Sequence, residues 1–187
     1  MSTGYHNIHQ GIIDRCLQGD RSAHYELYKL YSRAMYNTSL RITGNEMDAE
    51  DVLQESFVSA FKNLANYRGT ASFGSWLKRI VINNAINLVK KRRFDLESVE
   101  GKEDAEALLE TKEDEADVTY DFQLVKEGIN RLPEGYRLVL TLYLIEGYDH
   151  KEIAQILGIT ESTSKSQFNR SKKKLKEIVK EELKYAG

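Results

Sequence analysis

One proline, Pro133, stands in a chain of 187 residues, and apolar side chains recur at intervals of three and four. An α-helix turns once in about 3.6 residues, so that spacing gathers apolar groups onto one face. Strand-type alternation is weak throughout. The chain is therefore expected to be all-α.

Turn signals divide it into helices. Residues 10–18 form a short one, with Ile12, Ile13, Cys16 and Leu17 on one face, ended at Gly19-Asp20. Residues 22–43 form a longer one, with Leu27, Tyr31, Ala34, Thr38 and Ile42 along one side and Gly44-Asn45 as its stop. Asp48 is expected to cap a third helix, with Glu50 and Asp51 complementing its dipole. Its buried stripe is Leu53, Phe57, Ala60, Phe61 and Leu64. After a loop at residues 66–72, a fourth helix is expected over residues 73–93, with Phe73, Leu77, Ile80 and Leu88 facing the core.

Residues 95–117 are highly charged and poor in large apolar groups. They read as a flexible acidic linker, with a frayed helical turn at 105–109. A second unit begins near Val118. Pro133 fits the first turn of a helix over residues 134–146, with Leu138, Leu142 and Ile145 inward and Gly147 as its end. The expected architecture is two small helical domains, residues 1–94 and 118–187, joined by the linker.

Charge is distributed unevenly. Residues 56–94 contain no Asp or Glu in a chain that has 29, yet hold eight Lys or Arg: Lys62, Arg68, Lys78, Arg79, Lys90, Lys91, Arg92 and Arg93. The net charge of −2 hides +5 over residues 1–94, −10 over 95–121 and +3 over 122–187. Exposed charges more than about 8 Å apart are largely screened at physiological salt, so the local fields decide the partners. Basic groups interleaved with aromatics and amides suit phosphates, bases and base edges. The acidic segment is expected to compete with nucleic acid for the basic faces.

The sharpest local motif is His150-Lys-Glu-Ile-Ala-Gln-Ile-Leu-Gly-Ile-Thr160, leading into a long polar and basic helix. Ile153, Ala154 and Leu157 face inward, and Ala154 is small where a second helix must cross. Gly158 makes the turn, Ile159 plugs it and Thr160 caps the long helix. This is a helix-turn-helix pattern. The long helix has an inner stripe of Phe168, Leu175, Ile178, Val179 and Leu183. Its outer face offers Thr163, Lys165, Ser166, Asn169, Arg170 and Lys173 to phosphates and major-groove edges. The plainer alternative is a helical hairpin with a solvated basic face.

A second stripe, Trp76, Arg79, Asn83, Asn87 and Lys90, is spaced three, four, four and three apart. Either Trp76 belongs to the core and the amides are solvated, or the stripe stacks and holds bases of single-stranded or melted DNA. A third face, Asp48, Glu50, Asp51, Gln54 and Glu55, reads on its own as a solvated helix surface.

No run of eighteen apolar residues suggests a membrane span, and the polar first ten residues carry no export signal. Cys16 is a lone thiol and suits a reducing compartment. His6, His9, His24 and His150 lack metal-ligand spacing. No catalytic constellation is evident and no cofactor is expected.

Four segments in register carry a family likeness. Asp48-Ala-Glu-Asp-Val-Leu-Gln-Glu-Ser-Phe57, Phe73-Gly-Ser-Trp-Leu-Lys-Arg-Ile80 with Asn83, Leu132-Pro133, and the helix-turn-helix together resemble bacterial RNA polymerase sigma factors of the extracytoplasmic-function (ECF) group. The likeness covers roughly residues 10–94 and 120–182. It implies a compact cytoplasmic sigma factor without the extra regions of housekeeping relatives, and not an enzyme. It implies a region-two bundle whose Asp48, Glu50, Asp51, Gln54 and Glu55 face docks on the clamp coiled coil of the polymerase largest subunit, which reverses the solvated reading of that face. Loop residues from Tyr67 through Arg68 to Ser72, with Trp76, Arg79 and Asn83, would hold the melted minus-ten element. Asn87, Lys90, Arg92 and Arg93 extend that surface. The region-four helix-turn-helix would read the minus-thirty-five element through Thr163, Lys165, Ser166, Asn169, Arg170 and Lys173, and would touch the polymerase flap. The linker would thread towards the RNA exit channel. An anti-sigma factor is a further partner of such proteins. The chain departs from many relatives at Ser164, where they hold an apolar residue, and at Gln167, where they hold a basic one.

Two other classes compete. A stand-alone helix-turn-helix regulator would bind a duplex palindrome as a dimer, but no dimerisation seam is evident. A metal-dependent nuclease needs clustered carboxylates, which the acid-free window argues against.

Overall fold

The computed structural model describes residues 8–97 and 122–185, with side chains over 8–92 and 123–183. The acidic linker beyond Glu97 with its turn at 105–109, His6 and the Arg93 side chain lie outside the described residues. Within them every regular element is a helix. The chain divides into two units, Met1–Leu96 and Glu97–Gly187.

The first unit holds α1 (Gln10–Leu17), α2 (Arg21–Thr43), α3 (Glu46–Lys62), a single 3₁₀ turn (Leu64–Asn66) and α4 (Phe73–Glu97). Its core is Ile13, Leu27, Ile42, Val52, Phe57, Phe73, Leu77 and Val81, all essentially buried. Asp20 caps α2, its carboxylate accepting from the amides of Ser22 at 2.8 Å and Ala23 at 3.3 Å. Gly44 ends α2 at φ +68°, a left-handed conformation that costs glycine little.

Several expectations need correction here. Leu17 is 52% exposed, with Ile13 and Cys16 the buried residues of α1, and Ala34 is exposed because the buried stripe of α2 passes through Met35, Thr38 and Ser39 instead. Burial pushes the Cys16 thiol pKa up. Asn45, not Asp48, caps α3: its Oδ1 accepts from the Asp48 amide at 3.0 Å. The left-handed Gly44 sends the chain straight into an extended residue, so the helix begins one turn early. Asp48 then sits in the first turn with its carboxylate available to another helix. In α4 Ile80 and Leu88 are only half-buried; the core face is Val81, Ile82, Ala85, Ile86 and Val89. The helix also runs on to Glu97, since no Gly or Pro precedes Gly101 to stop it.

The second unit holds α5 (Phe122–Asn130), α6 (Glu134–Leu140), a π-helical turn (Thr141–Ile145), α7 (His150–Leu157) and α8 (Glu161–Tyr185). Its core gathers Leu132, Leu138, Val139, Leu140, Leu142, Ile153 and Val179. Pro133 stands immediately before α6, where its missing amide hydrogen is not needed. The Glu146 amide donates to the Thr141 carbonyl at 3.0 Å, an i→i+5 bond. That wider turn shifts the helical phase after Leu142, so Ile145 emerges 40% exposed rather than buried. Leu183, expected inside, is also exposed, while the buried residue of that stripe is Val179 one turn earlier.

The α7–α8 pair is built from strong local signals. Asp149 and Glu152 form a reciprocal capping box at the start of α7. Gly158 ends it at φ +72°. Thr160 caps α8, its hydroxyl accepting from the Thr163 amide at 3.0 Å. Ile153 and Ala154 are buried against α8, as the motif requires, while Leu157 is half-buried. The buried hydroxyl of Ser164 meets Nδ1 of His150 at 3.0 Å, so a polar group occupies a core position with a partner.

Candidate nucleic-acid interface

The loop before α4 is held by aromatic packing. Phe73 is fully buried and anchors the cluster. Tyr67 lies edge-on to it at 5.7 Å, Trp76 is tilted against it at 5.6 Å, and Tyr67 and Trp76 meet at 5.3 Å. The Tyr67 hydroxyl donates to the Ala71 carbonyl at 2.5 Å, pinning residues 67–71 into a compact loop. The Ser72 Oγ accepts from the Ser75 amide at 3.2 Å and so caps α4. Its hydroxyl thereby shapes the loop. Arg68 and Thr70 are exposed at the tip, beside Gly69 at φ +67°.

Trp76 is neither core nor freely displayed. It is half-buried, with one side on Tyr67 and Phe73. From there Arg79, Asn83, Asn87 and Lys90 are exposed along α4, and Lys91 is exposed beside them. Helical phase makes these a single row about 21 Å long at 1.5 Å per residue. No acid occurs anywhere in residues 56–94 to neutralise it. Asn84 turns the other way and donates to the Ser56 hydroxyl at 3.0 Å, tying α4 to α3.

Arg92 does not belong to that row. Its Nη1 reaches Oδ2 of Asp48 at 2.7 Å, and Nη2 approaches the Thr43 carbonyl at 3.5 Å. Two residues expected to meet different partners are therefore joined to each other. On α3, Glu50, Asp51, Gln54 and Glu55 are all exposed, so the expected docking face stands open except for Asp48. Met47 and Val58 lie on the same helix as exposed apolar groups, which sequence reasoning missed.

On α8, Asn169 and Lys173 are exposed and Arg170 is half-buried. Lys165 pairs with Glu161 at 2.7 Å one turn earlier, and that bond holds the Glu161 carboxyl below its ordinary range. The Thr163 hydroxyl contacts that of Thr160 at 2.7 Å, and the Ser166 hydroxyl donates to the Thr163 carbonyl. Both therefore serve the helix start. Lys172, which sequence reasoning passed over, lies over the Phe168 ring at 5.3 Å. Its i,i+4 spacing from Phe168 is a signal present in the chain but unspecific.

Among the described residues no group of three or more His, Cys, Asp or Glu side chains is arranged to hold a metal, and no helix is long and apolar enough to cross a membrane. The arrangement offers binding surfaces: an acid-free row with a rigid aromatic loop, a separate acidic row, and a helix-turn-helix with a basic outer face.

Comparison with known proteins gives a consistent result. The profile for sigma-70 region 2 matches residues 27–94, and that for sigma-70, region 4 matches residues 122–175. The RNA polymerase sigma-H factor of Pseudomonas aeruginosa is 33% identical over 172 residues, 87% of this chain and 89% of the relative. The ECF RNA polymerase sigma factor SigW of Bacillus subtilis is 28% identical over 178 residues, 90% of this chain and 95% of the relative. Among solved structures, the sigma factor RpoE of Bartonella quintana, in complex with the anti-sigma factor NepR, aligns with a TM-score of 0.52 at 20% identity. That alignment covers 83% of this chain and 96% of the other, and shows the fold.

Proposed function

Because the chain belongs to the ECF group of the sigma-70 family of RNA polymerase sigma factors, we propose a division of labour between its two units. As a sigma factor it binds core RNA polymerase and directs promoter recognition, melting and transcription initiation. The first unit docks on the clamp coiled coil through the exposed face of Glu50, Asp51, Gln54 and Glu55, with Asp48 at its edge. The same unit holds the melted minus-ten element on the loop at 67–72 and the row from Trp76 to Lys90. The second unit reads the minus-thirty-five duplex from α8 and touches the flap, while the acidic segment between them threads towards the RNA exit channel.

The observation that carries this reading is the pairing of Trp76 with an exposed, acid-free row on α4. Stacking is worth about 1–3 kcal/mol per base, comparable with the few kcal/mol needed to extrude one. A face of this kind suits bases already pulled from a duplex and gives little to an intact one. The protein works by binding alone, without chemistry of its own, in the cytoplasm, and an anti-sigma factor that covers these faces is the natural means of holding it inactive.

Core polymerase assembled with Glu50→Arg/Asp51→Arg or with Arg79→Ala/Asn83→Ala tests the assignment. The first pair should lose polymerase capture. The second should keep capture and closed-complex binding but lose promoter opening, read by permanganate reactivity of unpaired thymines. Loss of opening in neither case would reject the assignment.

A further inference from the structure

We infer that Arg92 is a positioning residue of the polymerase-docking face, set apart in role from the DNA-contacting cations beside it. The inference rests on the docking reading above.

Helical phase separates Arg92 from its neighbours. It lies three residues after Val89 and seven after Ala85, both buried, so it continues the core-facing stripe of α4. Lys90 is about 200° away around the helix at 100° per residue, on the exposed row. A basic run that looks like one patch is, in three dimensions, two groups on different sides of one helix.

The chemistry of the α2–α3 corner suits a guanidinium. That corner leaves the last carbonyls of α2 without helical partners, at the negative end of its dipole. Arg92 inserts there, Nη2 towards the Thr43 carbonyl and Nη1 on Oδ2 of Asp48 at 2.7 Å. A guanidinium fork serves two acceptors on two helices at once, which a lysine ammonium on a flexible stem does poorly. Asp48 is only about a third exposed and is fixed in its first-turn position by the Asn45 cap below it. The pair therefore ties the first turn of α3, already begun by Gly44 and Asn45, to α4 and to the end of α2. The docking row, Glu50 to Glu55, lies within the next two turns and takes its orientation from that first turn.

A phosphate role draws on the exposed donors of the Arg92 guanidinium, whereas a positioning role draws on those that face Asp48 and Thr43. The two roles give opposite results when the affinity for core polymerase and the salt dependence of promoter binding by assembled holoenzyme are measured separately.

Arg92→Gln should weaken capture of core polymerase roughly two- to fivefold, the scale of one partly exposed charged pair. Arg92→Lys should fall between. The salt slope of promoter binding should stay unchanged for Arg92→Gln and fall by about one for Lys90→Gln, the effect of one lost phosphate contact. Val81→Ala, a core truncation on the same helix, controls for general loss of stability and should leave capture intact while the protein is folded. A slope lowered by about one for Arg92→Gln with capture unchanged would overturn the inference. So would equal weakening of capture by Val81→Ala. If Glu50→Arg weakens capture and Arg92→Gln does not, the role of Arg92 alone fails; if neither does, the docking reading fails and takes this inference with it.

Discussion

Nδ1 of His150, the first residue of α7, lies 3.0 Å from the buried hydroxyl of Ser164 on α8. The imidazole also stacks on Tyr143 at 4.5 Å and 17° and meets Phe168 edge-on at 5.6 Å. Three elements of the helix-turn-helix unit thus converge on one ring. Ser164 stands where the family resemblance leads to an apolar side chain, and here a hydrogen bond replaces that contact. Ser164→Ala leaves the His150 nitrogen to find another partner and should destabilise the second unit by about 1 kcal/mol, seen as a lower urea midpoint with unchanged m-value.

Gly128 sits inside α5, where glycine costs about 1 kcal/mol relative to alanine. A Cβ added there would lie 2.8 Å from Cδ1 of Leu175 and 3.1 Å from Cγ2 of Val179 on α8. Val179 is buried and β-branched and has little room to turn away, while Leu175 is half-buried and can yield in part. Overpacking costs typically about 1–3 kcal/mol, which meets or exceeds the propensity gain. Gly128→Ala should therefore be neutral to destabilising by about 2 kcal/mol, where an exposed helical glycine would be stabilised. Thermal unfolding of the two-unit chain measures the sign.

The helices and the helix-turn-helix are legible in the sequence because their signals are local. Ala154, Gly158 and Thr160 specify crossing, turn and cap within seven residues, and the structure uses each in that role. Features that depend on partners far along the chain are not. Asn45 and Asp48 are both good caps three residues apart, and only the left-handed Gly44 decides between them. The π turn at Thr141–Ile145 leaves no spacing signature, so periodicity puts Ile145 inside although it is exposed. Trp76 defeats a choice between core and surface because it is half of each. The Arg92–Asp48 pair spans 44 residues. Its phase with Val89 and Ala85 is readable, but a run of four cations invites reading as one patch.

Asp20 ties α1 to α2. Its carboxylate bonds Arg15 at 2.7 Å, and that hydrogen bond, ahead of the Ser22 and Ala23 amides, holds its pKa below the ordinary carboxylate value. A depressed folded pKa means that the unfolded chain binds the proton more readily. The stabilisation is complete above the ordinary carboxylate range and disappears as pH falls through the lowered folded value. Asp20→Asn keeps a capping oxygen but loses the charge. The gap in urea midpoint between the two proteins should be constant at neutral pH and close as the pH drops below the carboxylate range.

Trp76 supports the loop at 67–71 as well as facing the exposed row. Trp76→Ala should therefore slow promoter opening by roughly five- to a hundredfold, the worth of about one lost stacking contact, while closed-complex affinity changes little. Stopped-flow fluorescence from 2-aminopurine placed in the minus-ten element tracks opening directly. Equal loss in both steps would mean that the ring serves packing alone.

The central claim is that two helical units grip separate promoter segments while carried by core polymerase. Transcription from a promoter library, with purified core polymerase in the presence and absence of this chain, tests it most directly. New start sites should appear only with the chain, each preceded by two shared sequence elements, and the chain alone should protect no DNA. Failure of core polymerase to capture the chain, or unaided protection of a palindrome, would contradict the claim.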